Sequence, residues 1–86
     1  MPRISKFHGI AIYLYYLDHV PPHFHAISGE DEAASDVASG QVIAGGLLRR
    51  SMQYVKEWWT LHQGELMANR GHANASQPLS PIPPLS

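Results

Sequence analysis

The hydrophobic period changes once along this chain, at Gly45-Gly46, and that change limits the fold more than any other feature. Upstream, apolar residues come in short runs broken by turn residues. Downstream, Leu48, Met52, Val55, Trp59, His62 and Leu66 recur at spacings of three and four. At about 100° per residue they make one stripe of a helix. Leu47, Tyr54, Trp58 and Leu61 form a second stripe beside it, and Gln53, Lys56, Glu57, Thr60, Gln63 and Gly64 take the opposite side. The pattern predicts one long amphipathic helix, with Val55 and Trp59 buried and Lys56 and Thr60 exposed. Gly64 costs a helix about 1 kcal/mol against alanine, so fraying is expected beyond it, with an end by residues 69–71.

The upstream runs read as strands. Residues 10–17 are β-branched and aromatic and apolar on both alternating faces, which predicts a central strand covered on two sides. Gly9 separates them from residues 3–8. Residues 24–28 and 32–38 are further strand candidates around the turn Gly29-Glu30-Asp31, and Ser39-Gly40 predicts a tight hairpin into residues 41–44. Such short connections allow only antiparallel pairing. The expected fold is therefore α+β: a small antiparallel sheet of three to five strands with one helix across it. The domain is expected over residues 1–72. Residues 73–86 hold four of the seven prolines and are expected to be an extended or disordered tail. One helix covers one face of the sheet, so the second apolar face of residues 10–17 predicts a homodimer.

Composition excludes several classes of function. There are no cysteines, hence no disulfide, thiolate metal site or thiol nucleophile. The net charge is −1, far from the basic balance of a non-specific nucleic-acid binder. No stretch reaches the roughly 20 apolar residues that cross a bilayer, so no membrane partner is expected. The start has no cleavable signal pattern, and a cytoplasmic location is the expectation.

Three of the six histidines fall in Asp18-His19-Val20-Pro21-Pro22-His23-Phe24-His25. The prolines exclude a helix there. In a strand that follows them, His23 and His25 share a face and Phe24 takes the other. Paired imidazoles on a stiff backbone suit three roles. One is proton transfer on RNA without a cofactor: His23, His25, His19 and Asp18 are the candidate catalytic residues, and Lys6, Arg49 and Arg50 (with Arg3 as a further cation) the candidate phosphate-binding residues. Another is a zinc site at His19, His23 and His25, although no established zinc spacing such as His-Glu-x-x-His occurs. The third is structural: Asp18 fixes a turn, the prolines set a corner, and backbone carbonyls satisfy the imidazoles. His62 reads as a partly buried, hydrogen-bonded histidine, and Glu30-Asp31-Glu32 as a solvated turn.

The order of these pieces resembles a bacterial family known as domain of unknown function 4160. The resemblance rests on Met1-Pro2-Arg3-Ile4, the aromatic run at 12–16, the histidine-proline block, Gly29, the acidic hairpin at 36–40, Val55 to Trp58, and the proline-rich end at 78–85. Leu48 departs from a common proline before the helix, and Asn69-Arg70 from a second tryptophan. The resemblance implies no defined activity. It implies a two-gene, toxin–antitoxin-like setting, with a small cognate protein from a neighbouring gene as partner. The toxin side, acting on RNA, is the leading expectation; a non-enzymatic protein-interaction module is the alternative.

Overall fold

The computed structural model describes residues 3–14, 23–74 and 79–86, and of residues 70–74 the backbone alone. Strands β1 (Arg3–Phe7), β2 (Ile10–Leu14), β3 (His23–Ser28), β4 (Asp31–Asp36) and β5 (Val42–Gly45) form one antiparallel sheet in chain order. The chain class is α+β, as the change of period predicts. Phe7 pairs with Ile10 across His8-Gly9, whose φ angles of 49° and 75° suit a two-residue turn with both central residues left-handed. Ser28 pairs with Asp31 across a second two-residue turn.

Register separates the two faces of the sheet. Ile10, Ile12 and Leu14 of β2 and Phe24 and Ala26 of β3 are fully buried, while Ala11, Tyr13, His23, His25 and Ile27 alternate with them and are half-buried. The connection from β4 to β5 differs from a tight turn at Ser39-Gly40. β4 ends at Asp36, and the Gly40 N–H donates to the Asp36 carbonyl at 2.7 Å. The Asp36 carboxylate accepts from the Ala38 N–H at 2.9 Å. This wider loop drops Val37 into the core, 2% exposed, which a two-residue hairpin has no residue to do.

The single long helix is replaced by two, α1 (Arg49–Leu61) and α2 (Gln63–Asn74). At the junction, the His62 N–H is shared between the carbonyls of Trp58 and Trp59, and its φ of −124° leaves the helical range. Gly64, a poor helix former, lies just beyond. The break lets Leu66 and Asn69 of α2 reach the same core that α1 fills with Val55 and Trp58. The buried line of α1 also runs through Trp58, not Trp59. Trp58 is fully buried between Phe7, stacked at 5.5 Å, and Phe24, edge-on at 5.9 Å. Trp59 is half-buried over Gly40, and Leu48 and Leu61 are exposed. Val55 is buried and Lys56 and Thr60 are exposed, in agreement with the helical period.

Residues 79–86 form no regular element, yet they are tied to the domain. Ile82 is buried and its N–H donates to the Ile4 carbonyl at 2.8 Å. The Trp58 indole N–H donates to the Pro83 carbonyl at 3.1 Å. Buried Asn69 exchanges two hydrogen bonds with the Ser80 backbone, at 2.7 and 2.6 Å. Among the described residues no helix is long and apolar enough to cross a membrane.

Candidate functional site

The alternation of β3 places Phe24 under Trp58 and forces its neighbours outward, to the sheet face that the helices leave open. His23 and His25 lie there side by side, their rings 4.9 Å apart at 62°. His25 pairs across the sheet with Tyr13 on β2 and Ala34 on β4. Glu32 stands one diagonal step away, and its carboxylate meets His25 Nδ1 at 2.7 Å. The His25 side chain is 16% exposed and Glu32 50% exposed, so solvent reaches the pair from the carboxylate side. A shallow depression of about 210 Å³ opens beside them, lined by His25, Glu32, Ala34, Ala44 and Gly45.

Glu32 reads as part of a solvated turn in the sequence, and its contact with His25 comes from register. Once the turn is Gly29-Glu30, counting back from Ser28 opposite Asp31 sets Ile27 against Glu32 and His25 against Ala34. Glu32 then shares the face of His25, so the length of this turn decides the contact.

The predicted site residues divide by location. His23 and His25 come together. Asp18 and His19 lie outside the described residues. Lys6 sits on the same sheet face but on β1, opposite Ala11. Arg3 pairs with Tyr13, itself paired with His25, so one row across three strands carries a guanidinium, a phenol and an imidazole. Arg49 and Arg50 start α1, which packs on the face opposite the histidines. Arg50 Nε instead donates to the Tyr54 hydroxyl at 3.1 Å, and that hydrogen bond raises the guanidinium pKa from its usual value.

Among the described residues, His8 and His62 stand apart from this face. His8 stacks on Tyr54 with ring centroids 4.4 Å apart, and His62 Nδ1 meets Glu65 at 2.6 Å beside the Trp58 ring. Among the described residues no three His, Asp or Glu side chains are grouped to hold a metal ion. A zinc site there requires a donor in addition to His23 and His25.

A family model described as "Domain of unknown function (DUF4160)" matches residues 9–69, which include β2 to β5, α1 and both site histidines. No match was found among curated proteins or among solved structures.

Proposed function

Because the chain belongs to the family described as domain of unknown function DUF4160, whose name carries no activity, we propose a function from the chemistry of the open sheet face. The chain is the RNA-directed, toxin-side member of a two-gene, toxin–antitoxin-like module, and His23 and His25 perform metal-free acid–base cleavage. The observation that carries this reading is the His25–Glu32 contact of 2.7 Å beside a second imidazole. A carboxylate that holds one ring nitrogen fixes the tautomer and leaves the other to act as a base.

With its Nδ1–H on Glu32, His25 takes the proton of an RNA 2′-hydroxyl through Nε2. The 2′-oxygen bonds to the adjacent phosphorus, and the bond from phosphorus to the 5′-oxygen breaks. Protonated His23 gives its proton to that departing oxygen, leaving a 2′,3′-cyclic phosphate and a 5′-hydroxyl end. Arg3 and Lys6, on the same face, hold the phosphate; Arg49 and Arg50 start α1, which packs on the opposite face. DNA, which lacks the 2′-hydroxyl, is not cleaved.

The two-gene setting and the cognate partner come from the family resemblance. They are tested by growth of host cells expressing the chain alone and with its neighbouring gene. Purified protein on an RNA oligonucleotide tests the chemistry. His23→Ala and His25→Ala should abolish cleavage without unfolding the chain, and Glu32→Gln should slow it. The rate should pass through a maximum with pH, because one imidazole must be neutral while the other is charged.

A second reading is favoured by the half-buried apolar residues around the pair, Ala11, Tyr13 and Ile27. In a non-enzymatic interaction module, a second copy of the chain covers this face and the histidines pack in the interface. Absence of cleavage, together with a dimer in sedimentation that Tyr13→Glu dissociates, would replace the enzyme by this module.

A further inference from the structure

The two edges of the sheet are treated differently. At β1 the Ile82 N–H reaches the Ile4 carbonyl, and Pro81, Pro83 and Pro84 lack the donors to continue as a strand. At the other edge β5 is the last strand of the sheet, and all four of its residues are exposed, Val42 by 42% and Ile43 by 46%. An edge of this kind offers unpaired backbone groups to a further strand.

α1 does not close over β5. Between them lies a groove of about 370 Å³, with Val42 on the strand side and Met52 on the helix side. Arg49 and Lys56 also line it, no carboxylate does, and among the described residues neither cation makes an ion pair. The register adds a constraint. Ala44 pairs with Ala34 and Val42 with Ser35, which leaves Ile43 as a bulge. A bulged edge discourages indiscriminate strand pairing, so an added strand must gain from its side chains as well as its backbone.

We propose that β5 and this groove take up an extended segment of a second protein as a sixth strand. An apolar side chain of the segment seats between Val42 and Met52, and acidic side chains lie beside Arg49 and Lys56. This is strand addition, in which backbone hydrogen bonds give affinity and alternate side chains give selectivity. Charge chooses the occupant. A second copy pairing through its own β5 would present Val42-Ile43-Ala44-Gly45, which carries no charge, and would leave both cations unmatched. The segment 79–86 is engaged at the opposite edge. The inference stands apart from the histidine chemistry, which uses the other face of the sheet.

Fluorescein-labelled peptides of sequence Glu-Val-Glu-Ile-Glu-Val-Glu and Lys-Val-Lys-Ile-Lys-Val-Lys, titrated against the full chain by anisotropy, test it. The acidic peptide should bind in the micromolar range and the basic one at least tenfold more weakly. Arg49→Glu combined with Lys56→Glu should reverse that order. Both positions are exposed, so the fold should tolerate the change. Ile43→Pro should weaken the acidic peptide at least tenfold, and binding should slow hydrogen exchange at β5 amides. Equal binding of both peptides, or indifference to the charge reversals, would overturn the proposal. So would a dimer of the chain alone that Ile43→Pro converts to monomer, since a second copy would then occupy the edge.

Discussion

Replacing each tryptophan by phenylalanine tests how α1 is rotated against the sheet. Trp58→Phe keeps a ring against Phe7 and Phe24 but removes the indole N–H that the Pro83 carbonyl accepts. Loss of that part-buried hydrogen bond costs about 1 kcal/mol. The smaller ring leaves a void of roughly 40 Å³ in a fully buried site, which at about 24 cal/mol per Å³ adds about 1 kcal/mol. Trp59→Phe loses an equivalent bond, from its indole to the Val37 carbonyl at 2.8 Å. Its ring is half-buried, so the void term largely vanishes and the cost falls to about 1 kcal/mol. A chain of this size holds roughly 4–13 kcal/mol in all, so both variants should fold. In urea, with a slope of about 1 kcal/mol per molar, the midpoint should drop by about 2 M for Trp58→Phe and about 1 M for Trp59→Phe. Each variant also leaves one indole, and the emission of Trp58 should lie to the blue of that of Trp59. Equal midpoints, or a larger loss at Trp59, would refute the assignment of Trp58 to the centre of the core.

Asn69→Ala leaves a part-buried N–H and carbonyl of Ser80 without partners and should cost about 2–3 kcal/mol. It should also make the chain after residue 78 more susceptible to limited proteolysis, and an unchanged digestion pattern would show that the segment is held elsewhere. Gly40→Ala faces both a left-handed φ of 73° and the Trp59 ring, 2.7 Å from the added carbon. It should lower thermal stability by more than the roughly 1 kcal/mol of backbone strain alone. The pair Gly40→Ala and Trp59→Phe, compared in a double-mutant cycle, should reveal coupling, whereas additive costs would remove the ring contact as the cause.

Period and turn chemistry lie within a few residues of sequence, and they determined the fold class, the meander and the alternation of β2 and β3, while the bulges in β1 and at β4–β5 were not legible. Phe24 must oppose His23 and His25 in any strand, because side chains alternate whatever the partner. The turn length was not legible in the same way: a turn of Gly29-Glu30-Asp31 would set Ser28 against Glu32, whereas the structure pairs Ser28 with Asp31 and so brings Glu32 to His25. Other features depended on contacts between residues distant in the chain. Gly64 marked a weak point in the helix, but a break at His62 followed by a second helix was not legible locally; it accompanies the burial of both Trp58 and Leu66 in one core. A helical wheel gave Trp58 and Trp59 adjoining places on one apolar face, and only the position of Phe7 and Phe24 buried the first completely. The proline-rich end reads locally as tail, yet two of its carbonyls and two of its N–H groups complete groups that the helices and β1 would otherwise leave unpaired. Arg49 and Arg50 look like phosphate ligands from their charge, but they begin a helix that packs on the face opposite the imidazoles. Which charges share a face with a site is set by packing, and packing is decided by the whole chain at once.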